Sequence, residues 1–441
     1  MGWSRRTLLL AGGALAVGAR SGAVRAATDD DGDVVGRPLR PWRPGMLDIH
    51  HISTGRGDST LIIGPDGSSI MIDAGASLTP SPPALATRPD EGRRPGEWIG
   101  RYAQRRLRDV GATELDVFLA THQHPDHVGD VDESTPLAPG GGYRLSGVTD
   151  VDAITPIRRL IDRAYPSYDL PRPVSLPFQA NYEAFVRARL VGGRSVERFT
   201  AGTLNQLRRD QDASTVPGYS IRNLAVNGQV WTGRDETSRS RFPDMATLSP
   251  ADIPEENLWS AALRVSYGAF GYFAAGDLTS ATYDGALPWR DVETAAARVC
   301  GRVDVAVTPH HGMFDATGAD AARALQPRIW IVSAWHALHP SPSTLDRVFN
   351  PRLYSGPRDV FATALDETTD LAMPWLTGRL ASRNGHVVVR VAPGGATYDI
   401  VVTSNHDESD RVIRVLGSLP AGNEGGISTG PSKNGPSPSR S

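Results

Sequence analysis

Residues 121–130 read THQHPDHVGD, and they follow the apolar run DVFLA, residues 116–120, without a break. His122, His124, Asp126 and His127 fall within six positions of a chain that has only 11 histidines. A short apolar run of this kind reads as a buried strand. The polar cluster at its C-terminal end lies where chain leaves the sheet and side chains converge on a cleft. Neutral imidazoles and a carboxylate suit zinc best, with manganese or iron admitted as the oxygen share rises. On a turning loop, four potential ligands at this spacing point to two neighbouring ions rather than one.

The surrounding sequence supplies a scaffold for such a loop. MLDIHHIS, STLIIG and SSIMIDAG are short strand signals, broken by GRGD and by a PDG turn, and they predict an antiparallel start. Residues 96–110 place Ile99, Tyr102, Ala103, Leu107 and Val110 at helical spacing, with Gly111 as the stop. The polar stretch from about 131 to 250 carries helix signals around 154–164 and 181–190 and is expected to be an insertion over or beside the cleft. Its Tyr165, Tyr168, Phe178, Tyr182 and Phe185 suit either stacking on a substrate group such as a choline-like cation or packing of a subdomain core. No fixed-period repeat is visible.

Composition sets outer bounds. The chain has 441 residues, 39% of them hydrophobic, which is enough for a large buried core. Lys433 is its one lysine, so the arginine count reflects compositional bias rather than a nucleic-acid footprint. The single cysteine, Cys300, excludes an intramolecular disulfide framework and a cysteine-rich zinc site. Residues 1–27 have a basic start, an apolar run and small residues near Ala26 and Ala27, the layout of a cleaved export signal. The run is too short for a stable membrane span. Arg5 and Arg6 resemble the twin-arginine signal, which implies the twin-arginine export machinery as a partner and a secreted protein. Removing Arg5, Arg6, Arg20 and Arg25, with no acid, takes the net charge from −3 to −7. That acidity argues against nonspecific nucleic-acid binding. Residues 28–45 read as a linker, 46–418 as the folded domain and 419–441 as a disordered tail.

The spacing His-x-His-x-Asp-His resembles the signature of the metallo-β-lactamase superfamily. Three further stretches match in order: SSIMIDAG with Asp73 and Gly75, GYFAAGDL with Asp277, and VDVAVTPHHG with His310 and His311. LDIHHISTGRGDSTLIIGPDG, ENLWSAALRVSYGAFGYFAAGD and HPSPSTL are similar to the branch that includes the extracytoplasmic domain of the competence-type DNA-uptake channel and the phosphorylcholine esterases. The resemblance spans about residues 46–403. It implies an α/β fold, the four-layer αββα sandwich, with two divalent metal ions at one edge, most simply Zn2+, with Mn2+ or Fe2+ as alternatives. By the same resemblance His122 and His124 serve the first ion, Asp126 and His127 the second, and Asp277 bridges both. A histidine of the PHHG stretch completes the second; the alignment favours His311 and keeps His310 as a candidate. Lactamase-type and glyoxalase-like members place another histidine on the first ion, between the signature and the bridging aspartate. Here none occurs between His127 and His310.

That gap leaves the first ion open to water or substrate oxygen. A metal-bridging hydroxide is then the expected nucleophile, with Asp126 and Asp277 as the carboxylates essential to catalysis. The reading that follows is an exported dinuclear hydrolase of a phosphoester or phosphodiester, on a small molecule or a polymer. Hydrolysis of a β-lactam, lactone or thioester is the alternative, and a non-catalytic metal-binding protein on the same fold is the alternative from another class. His339, in HPSPSTL, either lines the cleft, binding an anionic oxygen or protonating a leaving group, or precedes a helix capped by Ser341. Asp58 is a partner for a ligand imidazole or part of a turn. His50 and His51 read as structural, and His386 and His406 as surface residues. The pattern leaves the oligomeric state open.

Overall fold

Two apolar periodicities organise the chain: short runs buried on both faces, and amphipathic helices that cover them. The computed structural model describes residues 32–78, 85–173, 175–209 and 216–422, so the expected export signal and most of the expected tail lie outside the described residues. The strands are β1 Leu47–His51, β2 Thr60–Ile63, β3 Ser69–Ile72, β4 Leu115–Ala120, β5 Ile157–Asp162, β6 Ser195–Arg198, β7 Tyr219–Val226, β8 Gln229–Trp231 and β9 Ser238–Ser240. They continue with β10 Ala262–Tyr267, β11 Phe270–Ala274, β12 Val305–Val307, β13 Ile329–Val332, β14 Asp359–Ala362, β15 His386–Val391, β16 Thr397–Thr403 and β17 Val412–Pro420. One sheet runs β17-β16-β15-β1-β2-β3-β4-β5-β6 and the other β14-β13-β12-β11-β10-β7-β8-β9.

The sheets face each other. Ile49, Ile62, Ile70, Val117 and Leu119 of the first pack against Ile221, Leu263, Val265, Val305 and Ile331 of the second. The alternate residues point outward, as period-two geometry requires. Leu61, Met71, Phe118 and Leu160 meet Ile99, Tyr102, Ala103 and Leu107 of the helix Pro95–Asp109. On the far side Phe273, Ala306, Trp330 and Val360 meet Val292, Ala296 and Ala297 of the helix Val292–Cys300, with Leu345 and Val348 of Pro342–Phe349. The result is the four-layer αββα sandwich. Within it β3-β4-β5-β6 and β11-β12-β13-β14 pair in parallel. Parallel strands bring their C-terminal ends to one edge, where ligand sites of such sheets form.

The structure corrects several expectations. Residues 131–250, expected as a polar insertion, carry strands of both sheets: β5 and β6 extend the first sheet, and β7, β8 and β9 build part of the second. The helix expected around 154–164 is instead the helix Val148–Ile154 followed by β5. Pro156 cannot continue a helix, and the pairing of Arg159 with Glu197 ties β5 to β6 at 2.9 Å. The helix Pro177–Val191 forms where 181–190 predicted one, and its Phe178, Tyr182 and Phe185 are buried in the outer core. Tyr168 and Tyr182 donate to the buried Asp162 carboxylate at 2.7 and 3.0 Å, so these aromatics pack rather than line a cleft.

The expected linker and tail are also partly structural. Leu39 and Trp42 are buried, and Asp33 sits under the sheet with Arg390. Strand β17 runs to Pro420, two residues into the expected tail. His386 is buried rather than on the surface: Ser53 N donates to its Nδ1 at 3.0 Å, and its ring lies 4.7 Å from that of Tyr102. His406 is exposed. His50 shares a 3.0 Å hydrogen bond with Tyr102, and His51 contacts Thr60 at 3.3 Å; both are structural.

Arg390 makes a stability prediction. It donates to Asp33 and Asp48 at 2.7 Å each and to the Arg40 carbonyl at 2.9 Å, with all three charged side chains buried. Arg390→Ala strands two buried carboxylates and is expected to cost about 3–5 kcal/mol. Denaturant unfolding within about 1 kcal/mol of wild type would refute this account of the N-terminal segment.

Candidate metal centre

The centre is assembled at the C-terminal ends of the parallel strands. Asp73 follows β3, Thr121 and His122 follow β4, Asp277 lies just past β11, and His310 and His311 follow β12. Asp126 and His127 lie in the short helix Pro125–Val128, which begins directly after His124. This helix is clamped from below: a Cβ at Gly75 or Gly57 would lie 2.1 or 2.3 Å from the Asp126 carbonyl oxygen. Only glycine permits that approach, and Asp58 N donates to the same carbonyl at 2.8 Å.

Two donor sets result. Asp126, His127, Asp277 and His311 form one, and His122, His124 and Asp277 the other; in each, the ligand atoms lie within 4.8 Å of one another. His311 Nε2 is 3.0 Å from Asp126 Oδ2 and 3.4 Å from Asp277 Oδ2. His127 Nε2 is 3.3 Å from Asp277 Oδ2, and His122 Nε2 is 3.7 Å from the same oxygen. His124 presents Nδ1, 3.1 Å from His122 Nε2. Asp277 is thus common to both sets.

The ring orientations have causes. Asp73 Oδ2 accepts from His127 Nδ1 at 2.8 Å and from Thr121 Oγ1 at 2.7 Å. With its proton committed to Asp73, Thr121 Oγ1 is free to accept from His122 Nδ1, 3.1 Å away. The Ser333 carbonyl lies 3.1 Å from His311 Nδ1. Each contact fixes the tautomer that aims Nε2 inward. Asp73, His310 and His311 hold positive φ, +58°, +50° and +52°, a strained backbone of the kind found at functional sites.

Burial and charge point to a cation. Burial favours a neutral His311, yet Asp277 and Asp126 outweigh it and raise the imidazole to about 10. His127 is likewise raised well above 6.5 by Asp277, Asp126 and Asp73, against burial. Burial and the neighbouring His127 hold His122 well below 6.5. Burial works against ionised Asp126 and Asp277, but the imidazoles of His127 and His311 hold both carboxyls low. Two imidazolium protons therefore stand in for metal charge. His127 Nε2 and Asp277 Oδ1 are buried without hydrogen-bond partners, an orphaned donor pair that a divalent ion satisfies.

A pH dependence follows. The raised imidazoles stabilise ion-free protein fully below about 6.5, and this is lost as pH rises through about 10. The lowered Asp126 contributes above about 3.8 and loses its contribution as pH falls. Chelated protein should therefore lose thermal stability between pH 6.5 and 10, while metal affinity rises over the same interval as protons are displaced. Melting curves and calorimetry in buffers of different ionisation enthalpy measure both; proton-neutral binding at pH 7 would contradict the charge assignment.

His310 stands apart from both sets. Its Nδ1 is 2.8 Å from Asp315 Oδ1, and its Nε2 is 3.1 Å from Asn257 Nδ2. His339 is buried and stacked on His311, with ring centroids 4.8 Å apart, and its Nδ1 has no partner. Burial and the nearby His311 hold it well below 6.5, so it is a neutral imidazole in the wall of the site. Ser341 does cap the following helix, accepting from Thr344 N at 3.3 Å. Asp58 reaches the signature loop through its backbone, and burial raises its carboxyl. Cys300 is buried, its thiol pushed up to about 12 by burial, and is no nucleophile. The orienting roles of Asp73 and Thr121 were missed in the sequence, though Asp-Ala-Gly after an apolar strand marks one of them. No sequence signal marks the Ser333 carbonyl.

Residues 53–139 match the model of the metallo-beta-lactamase superfamily. No curated protein matches the chain. Among solved structures, a mutant of the CmlA beta-hydroxylase aligns at 11% identity and a TM-score of 0.36, over 80% of this chain and 55% of that one. The chain thus spans about half the length of that hydroxylase. A diphosphatase from the PhnP family aligns at 11% identity and a TM-score of 0.31, over 79% of this chain and 98% of that one. Among the described residues no helix is long and apolar enough to cross a membrane.

Proposed function

We propose that this chain, with the metallo-β-lactamase superfamily pattern at residues 53–139, is an exported dinuclear metal-dependent hydrolase of phosphoesters or phosphodiesters. The observation that carries the reading is the pair of donor sets sharing Asp277. Two divalent ions, when bound, supply Lewis acidity and an activated solvent molecule. His122, His124 and Asp277 would hold one, and Asp126, His127, His311 and Asp277 would hold the other. Asp73, Thr121 and the Ser333 carbonyl keep the imidazoles in the ligating tautomer. His339, neutral and unpartnered at Nδ1, offers a hydrogen bond to a substrate oxygen from the wall beside His311.

The phosphoester preference is supported by the composition of the first set. With two imidazoles and a shared carboxylate it offers more open positions than the second, which suits a ligand presenting several oxygens. Export rests on the N-terminal pattern of residues 1–27, and the oxygen-containing donor sets suit Zn2+, Mn2+ or Fe2+.

The test is metal analysis followed by assay on a phosphodiester, a phosphorylcholine ester, single-stranded DNA and a chromogenic β-lactam. Two ions per chain and turnover confined to the phosphorus esters is the expected result. Turnover of the β-lactam alone would reassign the chemistry to carboxylic substrates, and bound metal with no turnover on any of the four would favour a binding protein.

A further inference from the structure

The His122–His124 pair is steered through the main chain. His124 presents Nδ1, the ring nitrogen nearer the backbone, so that atom cannot make the orienting contact that His127 makes with Asp73 and His311 with the Ser333 carbonyl. The position of its donor atom therefore follows the peptide that carries it. Two hydrogen bonds from the segment before β10 hold that peptide: Gln123 N, between the two histidines, donates to Glu256 Oε1 at 2.7 Å, and Ala261 N donates to the Thr121 carbonyl at 3.0 Å. Glu256 opens the turn Glu256–Trp259, which leads into the second sheet, whereas Thr121 and Gln123 leave the first.

Glu256 is itself held by Arg163, which directly follows β5. Arg163 Nε donates to Glu256 Oε1 at 2.6 Å and Nη2 to Oε2, and the two side chains are 3% and 13% exposed. The guanidinium also donates to the Leu170 carbonyl at 3.3 Å and lies 5.7 Å from the centre of the Trp259 ring. The Arg163 carbonyl accepts from Asn227 Nδ2 at 2.6 Å. Bidentate pairing fixes the plane of the carboxylate and keeps Oε1 on the Gln123 amide. We propose that Glu256 is a positioning residue for the His122–His124 ion: it sets the spacing of the two imidazoles through the amide between them, and Arg163 holds it in that place. The inference rests on the dinuclear reading above. A site with few protein donors depends on having them pre-set, and this device leaves its open positions free.

Cobalt(II) titration of the metal-free protein, followed by calorimetry and visible absorption, provides the test without recourse to activity. Wild type should bind two ions, and His124→Ala identifies the absorption of the first as the signal it removes. Arg163→Met combined with Glu256→Leu takes away the pair without stranding a buried charge. It should weaken the first ion by at least about tenfold and leave the second unchanged. Arg163→Met combined with Glu256→Gln, which returns an acceptor for Gln123 N, should recover most of the loss. Unchanged affinities in the leucine variant, an equal loss at both sites, or no recovery with glutamine overturns the proposal. Hydrogen exchange on wild type gives a reading that does not depend on how the variants fold. The Gln123 amide should be protected in metal-free protein, and exchange at the rate of an open loop until cobalt is added overturns the proposal as well. Fewer than two ions on wild type would instead overturn the dinuclear reading, and this inference with it.

Discussion

Replacing Asp277 with alanine is expected to lower turnover by on the order of 10³-fold or more and to reduce bound metal below two ions per chain. The size of the effect comes from sharing: Asp277 Oδ2 lies within 3.7 Å of His122, within 3.3 Å of His127 and within 3.4 Å of His311, so one carboxylate serves both donor sets. Its removal also takes a negative charge from both donor sets at once, which weakens the attraction of each for a cation. The fold should persist, because the side chain lies past the end of β11, at the sheet edge rather than between the layers. Metal analysis and circular dichroism on the same sample separate these effects. Two retained ions with a rate within tenfold of wild type would sink the shared-carboxylate reading.

Asp73→Asn should be nearly as damaging, though Asp73 belongs to neither donor set. Its carboxylate accepts from Thr121 N at 2.8 Å, from Thr121 Oγ1 and from His127 Nδ1. An amide can accept at one end only, and its NH2 then opposes the His127 N–H. His127 must change tautomer or lose its partner, and in either case Nε2 is no longer presented correctly. A loss of about 10- to 100-fold in metal affinity is expected, with a parallel fall in rate. Because the amide is nearly isosteric, the variant should fold, and excess metal should recover much of the activity. Unchanged affinity in a folded variant would show that Asp73 only stabilises the turn after β3.

The two substitutions mark different depths of legibility. His122, His124, Asp126 and His127 are adjacent in sequence, and their spacing after an apolar strand carries its meaning without any tertiary knowledge. The strands β1 to β4 and the helix Pro95–Asp109 were legible for the same reason, since period two, period 3.6 and turn residues are local signals. The segment 131–250 was not, because its strands are short and interrupted by charge. Arg158 and Arg159 are tolerated in β5 because Glu197, Asp116 and backbone carbonyls of the 206–209 segment receive them, and those partners are distant in sequence.

The linker and His386 failed similarly. Asp33 and the polar residues around it look like solvated chain until Arg390, more than 350 positions away, is placed beside them. His386 has no local context, yet it sits under Tyr102 in the outer core.

The sequence alone thus determined most of the residues that the fold gathers into one cluster able to hold a metal ion, because candidate ligands and their local spacing are written in adjacent residues. Only the tertiary structure decided between His310 and His311, turning the second into the cluster and the first toward Asp315 and Asn257. Two successive left-handed residues set that choice, and no spacing rule predicts them. The structure also decided which polar groups orient the ligands, since Asp73, Thr121 and Ser333 become neighbours of the imidazoles only when the ends of three parallel strands meet at one edge of the sandwich.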